Sequence, residues 1–223
     1  MTNRRIITEN TASALLFIAF SILIIMLRRI DTAAIGPEGT VIGLSHINGA
    51  VRDAIGYSSI WYTISEIAGY LSFIPMLACA LYGLYELISR KSLRAVDGEI
   101  YLAAVLYIAV IAVYVFFNAV VINYRPLLEN GTIEASFPSS HTLLAMTSCG
   151  SMIILSGIIV KSIAIQKALN AALAVLMALT VISRLLSGVH WITDIIGAIL
   201  LSSSLLLLFD SLICQIGSEK TKA

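Results

Sequence analysis

The chain has 223 residues, of which 59% are apolar and 12% are charged, and its mean hydropathy is +0.95. Soluble domains have about 45–50% apolar and about 25% charged residues, so the composition excludes a soluble enzyme, a nucleic-acid-binding domain and a disordered chain. The 14 basic and 13 acidic residues give a net charge of +1, and this overall balance gives no information about an acidic partner.

Six apolar segments, separated by charged residues, predict membrane-spanning helices, because each approaches or exceeds the roughly 20 residues that cross a bilayer. The segments cover residues 11–27, 62–88, 100–122, 142–160, 168–187 and 192–213. The first follows Arg4 and Arg5 without a small-residue cleavage pattern, so we expect a retained span and not a signal peptide. In the connection after it, residues 41–55 have apolar residues at helical spacing and predict a helix along the membrane surface.

These elements predict an all-α membrane protein, a bundle of six transmembrane helices with a surface helix between the first two, formed by a single domain over residues 1–223. Its orientation follows from the basic residues, which are more frequent in cytoplasmic connections. With a cytoplasmic N-terminus, nine basic residues lie inside, namely Arg4, Arg5, Arg90, Lys91, Arg94, Lys161, Lys167, Lys220 and Lys222. Five lie outside, namely Arg28, Arg29, Arg52, Arg125 and Arg184. We therefore expect both termini to be cytoplasmic, and the connections 123–141 and 188–191 to lie outside the plasma membrane.

A first polar cluster, Asn123-Tyr124-Arg125-Pro126, ends the third predicted span. Pro126 stops the helix and restricts the backbone of the residue before it. The planar guanidinium of Arg125 can bind a phosphate through two parallel hydrogen bonds. The alternative is an arginine at a helix end whose charged head simply reaches water.

A second cluster, residues 137–142 (Phe-Pro-Ser-Ser-His-Thr), precedes the fourth predicted span. Ser139 or Ser140 is a favoured helix N-cap after the proline. A helix that begins here directs its free backbone N–H groups and its positive dipole end outward, which favours an anion. His141 would then lie in the first turn beside that anion. The alternative is a structural pair of capping serines with an interfacial histidine.

A third cluster covers residues 183–194. His190 and Asp194 are four residues apart, so they share one face of the sixth predicted helix. A carboxylate bonded to one imidazole nitrogen fixes the tautomer and leaves the other nitrogen as a nucleophile. Gly188 permits a tight connection that returns Arg184, on the preceding helix, to the same point. An aspartate inside an apolar span is costly, and pairing with His190 explains it.

The three clusters together place two arginines, two histidines, a carboxylate and a helix N-terminus on one side of the membrane. Two cations and backbone donors suit a tetrahedral dianion, and two histidines suit a displacement in which one attacks phosphorus and the other protonates the departing oxygen. The sequence has neither the Asp/Glu cluster of Mg²⁺ sites nor a glycine-rich nucleotide loop. We therefore expect phosphoryl transfer from a phosphate ester, without a metal ion or a cofactor.

These residues also resemble the type 2 phosphatidic acid phosphatase superfamily, which shares its core with vanadium haloperoxidases and certain bacterial acid phosphatases. The family pattern is Lys-x6-Arg-Pro, then Pro-Ser-Gly-His, then Ser-Arg-x5-His-x3-Asp. This sequence has Arg125-Pro126, then Pro138-Ser139-Ser140-His141, then Ser183-Arg184-x5-His190-x3-Asp194. The third block is complete in identity and spacing, and the resemblance covers residues 118–194.

By that resemblance, His190 is the nucleophile that forms a phosphohistidine, Asp194 orients it, and His141 is the general acid for the leaving group. The resemblance also implies a set of residues that bind the substrate phosphate. The residues at these positions are Arg125, Arg184, Ser139, Ser140 and Asn118.

Two positions depart from the family pattern. Asn118 stands where the family has lysine, and no lysine lies in residues 95–160. Losing one charge-assisted contact weakens transition-state binding by roughly 1.5–3 kcal/mol, which slows the reaction by about one or two powers of ten. Ser140 stands where the family has glycine, which permits close approach of backbone to phosphate. The serine either crowds the phosphate or adds a hydroxyl donor.

The leading functional hypothesis is a membrane phosphatase that acts on a lipid phosphate or diphosphate from the outer face. Candidate substrates are undecaprenyl diphosphate, phosphatidylglycerol phosphate and phosphatidic acid. One alternative is a lipid phosphotransferase, and another is a lipid-phosphate binding or transport protein with weakened catalysis. Glu66, in the second predicted span, either orients a cation such as Arg184 or contacts the substrate headgroup, or it is an interfacial carboxylate that reaches water.

Overall fold

The computed structural model describes residues 2–128 and 131–220. Its helices are α1 (Thr2–Arg29), α2 (Ser45–Ile55), α3 (Ser59–Leu71), α4 (Phe73–Arg90), α5 (Gly98–Ala119), α6 (Ser140–Ile159), α7 (Ile163–Leu186) and α8 (Ile192–Lys220). Short 3₁₀ turns lie at Pro37–Gly39 and Leu93–Ala95. Lys222, which contributes to the predicted orientation, lies outside the described residues, as does the side chain of Lys220.

Six segments of the described chain are long and apolar enough to cross a membrane, which confirms the predicted all-α, multi-pass class. Five of them are single helices, and the sixth is formed by α3 and α4 together over Ser59–Arg90. Large apolar side chains point outward along these helices, such as Leu15, Leu77 and Val105, which are 62%, 58% and 62% exposed. Such surfaces fit contact with lipid rather than water.

The second predicted span, 62–88, is interrupted at Ser72 between α3 and α4. The backbone N–H of Ser72 donates to the carbonyls of Ala68 and Gly69, at 3.0 and 3.1 Å, which tightens the last turn of α3. The Ser72 hydroxyl also donates to the Ala68 carbonyl at 2.8 Å. Pro75 follows in the first turn of α4, where a residue without an N–H is tolerated. The break therefore follows from a serine bonded to its own helix and a nearby proline.

Helices α6 and α8 form the centre of the bundle, since half of the residues in their apolar stretches are buried, against 22–28% in the other spans. Helix α1 runs antiparallel to α8. Arg5 of α1 pairs with Asp210 of α8 at 2.6 Å, and Ser13 and Ser204 exchange hydroxyl-to-carbonyl hydrogen bonds of 2.8 and 2.9 Å. Helix α7 packs on α6 and on α3. As a result, α5 and α7 end, and α6 and α8 begin, at the same end of the bundle.

The segment that leads into α6 is fixed by aromatic packing. The ring of Phe137 is 1% exposed and lies 5.8 Å, centroid to centroid, from the rings of both Phe20 and Phe117. Gly197 of α8 lies beneath it, where a Cβ atom would come within 2.3 Å of the Phe137 ring. This close approach of α8 holds Pro138 and the start of α6 in place.

The surface helix between the first two spans is α2, which begins at Ser45 rather than at the predicted residue 41. The connection between α1 and α2 folds back on itself before this helix, because the backbones of Ala33 and Ile42 exchange two hydrogen bonds of 3.1 and 2.9 Å. Asn48 of α2 is fully buried and donates to the Thr193 hydroxyl at 3.0 Å. This contact fastens α2 over the first turn of α8.

Candidate active site

The three polar clusters meet at the end of the bundle where α5 and α7 end and α6 and α8 begin. A cavity of about 70 Å³ lies there, and Arg125, Ser140 and His190 each line it. The backbone N–H of Ser139 donates to the Asp194 carbonyl at 3.2 Å, which joins the second cluster to the third. The structure therefore brings one residue from each of the three clusters to this cavity.

His190 lies in the connection between α7 and α8. The sequence-based expectation that it lies within the last helix is wrong, because α8 begins at Ile192. Nevertheless its Nδ1 lies 3.2 Å from Oδ2 of Asp194. The carboxylate of Asp194 is in the first turn of α8, where a negative charge is favoured, and it also accepts the Trp191 backbone N–H at 3.0 Å. The carboxylate therefore points back towards His190.

The other ring nitrogen of His190, Nε2, is buried and has no hydrogen-bond partner among the residues that the structure describes. A carboxylate oxygen accepts, so the Asp194 contact places the imidazole proton on Nδ1 and a lone pair on Nε2. Burial lowers the pKa of His190 well below 6.5, and the positive charges of Arg184 and Arg125 lower it further. A neutral imidazole with a free Nε2 has the form that a nucleophile needs.

The turn that carries His190 depends on Gly188, which has φ +73°. A Cβ atom at this position would lie 2.1 Å from the Gly56 carbonyl oxygen. Beside it, the Ser58 N–H donates to the Ser187 carbonyl at 3.2 Å, so the α2–α3 connection covers this turn. The tight connection that the sequence predicts is therefore present, and it returns the chain from Arg184 to His190.

Arg184 lies in the last turn of α7 and is 1% exposed. Its Nη1 donates to Glu66 Oε1 at 2.6 Å and to the Ser65 hydroxyl at 3.1 Å. Glu66 thus lies beside Arg184 in the site. The sequence alone left open whether this carboxylate orients a cation, contacts the substrate headgroup or reaches water at the membrane interface. The signal was its position in an apolar span, where a carboxylate is costly unless a cation pairs with it.

Arg125 lies beyond the end of α5, on the other side of the cavity. Its backbone N–H donates to the Glu134 carbonyl at 2.9 Å, and its Nε lies 3.5 Å from Glu134 Oε2. Sequence reasoning missed Glu134, because a carboxylate in an irregular connection gives no signal of its own. Its position follows from the backbone pairing of Tyr124 with Ala135, which folds this connection back on itself.

The start of α6 contributes Ser139, Ser140 and His141. Ser139 occupies the N-cap position, as expected, but its hydroxyl accepts no backbone N–H of this turn. The Ser139 hydroxyl is buried without a partner in the described part of the chain. His141 lies in the first turn, with Nε2 3.5 Å from Glu66 Oε1. Of these three residues, Ser140 lines the cavity.

Asn118 lies in the last turn of α5 and lines the same cavity. Its side-chain N–H₂ donates to the Tyr114 carbonyl, one turn back in the helix, at 2.8 Å. An amide therefore faces the cavity from the position where the family pattern has a lysine.

An apolar groove of about 410 Å³ adjoins the cavity, between α3, α4, α5 and α6. Its walls are aromatic and aliphatic, formed by Tyr70, Phe73, Val110, Ile111, Tyr114, Leu143 and Leu144. It reaches Ser140 and His141, and it shares Tyr114, Ser140 and Leu143 with the small cavity.

One group of possible metal ligands, Glu9, Asp210 and Cys214, occurs among the described residues, at the opposite end of the bundle. Arg5 already pairs with both carboxylates there, at 2.6 Å each. This group is therefore explained as an ion-pair cluster that joins α1 to α8.

A family model described as the PAP2 superfamily matches residues 101–213, which contain all three clusters. The fold is similar to the crystal structure of a transmembrane PAP2 type phosphatidylglycerolphosphate phosphatase from Bacillus subtilis, with a TM-score of 0.63 and 19% sequence identity. The match covers 93% of this chain and 96% of that chain. No curated protein matches the sequence. The comparisons confirm the resemblance found in the sequence and the six-span fold.

Proposed function

This chain belongs to the PAP2 superfamily, and on that premise we propose that it is a phosphatase that hydrolyses a lipid phosphate or diphosphate through a phosphohistidine on His190. The observation that carries the proposal is the state of His190. Its Nε2 is buried without a partner among the described residues, it faces a cavity lined by Arg125, and Asp194 holds the opposite nitrogen.

In the first step, the Nε2 lone pair of His190 attacks phosphorus and forms the P–N bond. The bond from phosphorus to the leaving oxygen breaks, its electron pair stays on that oxygen, and His141 supplies the proton. Arg125, Arg184 and the backbone N–H groups at the start of α6 stabilise the negative charge on the phosphoryl oxygens. Ser139 and Ser140 add hydroxyl donors beside them.

In the second step, water attacks the phosphohistidine. His141, now neutral, accepts a proton from the water, the new P–O bond forms, and the P–N bond breaks. His190 regains its lone pair, and inorganic phosphate leaves. Asp194 stays bonded to Nδ1 through both steps and stabilises the positive charge that the ring carries after attack.

The apolar groove supports a lipid substrate. It is lined by apolar side chains, it reaches His141, and a bundle of this kind has lipid on its outer side. A tail in the groove leaves the phosphate in the polar cavity. The candidate substrates are undecaprenyl diphosphate, phosphatidylglycerol phosphate and phosphatidic acid.

We place the site on the outer face of the plasma membrane, with both termini in the cytoplasm. The nine-to-five distribution of basic residues supports this orientation, because basic residues favour cytoplasmic connections. Residues 1–223 remain, by prediction, one domain.

A second candidate function is binding or transport of a lipid phosphate with little turnover. Asn118 favours it, because an uncharged amide faces the cavity where the family pattern has a cation. The two functions differ in product, since a binding protein retains a lipid phosphate and releases no inorganic phosphate.

The test is phosphate release from each candidate lipid in detergent, with and without a chelator. We expect release from at least one lipid that is unchanged by the chelator, and a loss of about a thousandfold or more in His190→Ala, because the nucleophile is gone. The matched control is His46→Ala, since the side chain of His46 is 92% exposed and lies outside the site. Activity of His190→Ala equal to the control would contradict the proposal.

A further inference from the structure

We propose that Glu66 is a positioning residue that, with Gly69, holds His141 in place beside Arg184 for protonation of the leaving group. This inference rests on the proposed function, because it concerns the same reaction. It adds a role for helix α3, which lies outside the segment that the PAP2 model matches.

The carboxylate of Glu66 links two side chains from different helices. Its Oε1 lies 2.6 Å from Arg184 Nη1 on α7 and 3.5 Å from His141 Nε2 on α6. The Ser65 hydroxyl accepts from the same Arg184 nitrogen at 3.1 Å. Two adjacent residues of α3 therefore fix the guanidinium, and one of them also faces the imidazole.

Gly69 lies nearly one helical turn after Glu66, and His141 packs directly against it. A Cβ atom at Gly69 would lie 1.9 Å from His141 Cδ2 and 2.8 Å from Nε2. No side chain larger than hydrogen fits while the ring keeps this position. The imidazole is thus confined by the backbone of α3 at Gly69 and by the carboxylate of Glu66.

A carboxylate close to the phosphate weakens the attraction between the site and a dianionic substrate. Arg184 offsets that effect, because its guanidinium pairs with the Glu66 carboxylate at 2.6 Å and compensates the negative charge. A role in fixing the position of His141 explains why a carboxylate lies here, because a proton donor acts only within hydrogen-bond reach of the leaving oxygen. Displacing His141 therefore affects departure of the leaving group more than binding of the phosphate.

This distinction can be measured by changing the leaving group. An alkoxide, released from phosphatidic acid, needs a proton as it departs, whereas a nitrophenolate leaves as a stable anion. A nitrophenyl phosphate that carries an alkyl chain presents the same phosphoryl group and also fills the apolar groove. The test is therefore a comparison of kcat and KM for the two substrates in detergent.

For Glu66→Gln we expect kcat on phosphatidic acid to fall about tenfold or more, the lower part of the range for general acid catalysis. We expect KM on phosphatidic acid, and kcat on the nitrophenyl substrate, to stay within about threefold of wild type. Glu66→Asp restores part of the loss, because it keeps the charge.

Gly69→Ala gives the same dependence on leaving group. Its matched control, Gly157→Ala, keeps wild-type rates, because a Cβ atom there meets only the Gln166 side chain at 3.4 Å.

Equal losses on both substrates would overturn the proposal, because Glu66 would then act through Arg184 on phosphate binding or through stability. Wild-type kcat on phosphatidic acid in Glu66→Gln would overturn it too. Activity on the nitrophenyl substrate reports that each variant is folded. Failure of the proposed function has a different result, namely full turnover in His190→Ala, so the two failures are distinguishable.

Discussion

His190 is buried, the positive charges of Arg184 and Arg125 act on it, and its protonation can be followed directly. Burial, with the charges of Arg184 and Arg125, lowers its pKa well below 6.5. The His190 ring therefore stays neutral as the pH falls through about 6.5, the ordinary pKa of histidine, and it is protonated only at a lower pH. Because the unfolded chain does bind this proton, acid also lowers the free energy of unfolding.

We therefore expect the ¹⁵N signals of His190 to remain those of a neutral imidazole between about pH 8 and about pH 6. The chain has three histidines, so the spectrum is simple, and His190→Gln identifies the signals by removing them. Half-protonation at or above pH 6.5 would contradict the placement of this ring.

Asn118 gives a second prediction at the level of a single residue. Asn118→Lys places an ammonium group at the cavity, where it adds a charge-assisted contact worth roughly 1.5–3 kcal/mol. We expect kcat/KM on a lipid phosphate to rise by about ten- to a hundredfold. The matched control is Asn118→Gln, which lengthens the side chain without charge. A lysine variant no faster than the glutamine variant would show that this position does not act on the phosphate.

Individual residues differ in how well the sequence predicts them. The complete third block predicted that His190 and Asp194 pair, although His190 lies before α8 and the helical spacing argued for the pair does not apply. For Glu66, pairing with Arg184 was one of three roles that the sequence left open. Its partner, Arg184, is 118 residues away, and the pairing depends on how α3 packs on α7.

At the level of elements, the connection between α7 and α8 is the most constrained part of the site. Gly188 has φ +73°, and a Cβ atom would also meet the Gly56 backbone at 2.1 Å. Gly188→Ala therefore combines a left-handed backbone with a steric clash, and we expect it to lower the free energy of unfolding by about 2–5 kcal/mol.

The control for this effect is Gly39→Ala. Gly39 has φ +77° with nothing within 4 Å of its Cβ position, so only the backbone term applies, at about 1–2 kcal/mol. Thermal unfolding in detergent compares the two variants. Equal shifts in Tm would mean that the close approach to Gly56 contributes nothing.

The helices were predicted well where the length of an apolar segment defines a span. They were predicted poorly where a side-chain hydrogen bond decides where a helix stops. Six spans follow from hydropathy alone. The break at Ser72 was missed, because a serine that bonds back to its own helix looks, in sequence, like any small residue in an apolar run. The start of the last predicted span, residue 192, coincides with the start of α8. His190 was nevertheless expected on that helix, and it lies before it, where Asp194 accepts the Trp191 N–H.

At the scale of the whole molecule, the proposal requires a defined orientation in the membrane. Glu38 and Ser92 are both exposed, and the bundle places them at opposite ends. In a chain whose three cysteines are replaced by serine, we expect Glu38→Cys to react with a membrane-impermeant maleimide in intact cells. Ser92→Cys is expected to react only after the cells are opened. The reverse pattern would place the site in the cytoplasm.

The composition was sufficient to predict a membrane bundle, because so apolar a chain must bury its surface in lipid. The spacing of three motifs predicted that they meet at one end, since α5 and α7 end where α6 and α8 begin. The apolar groove could not be predicted, because it is formed by side chains from four helices with no pattern in common.

The central claim is that these motifs enclose one phosphorus atom and that His190 bonds to it. The most direct measurement is an alkaline quench within the first turnover of a lipid phosphate labelled with radioactive phosphorus. A phosphohistidine is stable to base and labile to acid, so these two properties identify the type of linkage. Peptide mapping then locates the labelled residue. The account predicts the label on His190 in the wild type and in His46→Ala, and none in His190→Ala. Label that persists in His190→Ala, or turnover without any labelled enzyme, would contradict it.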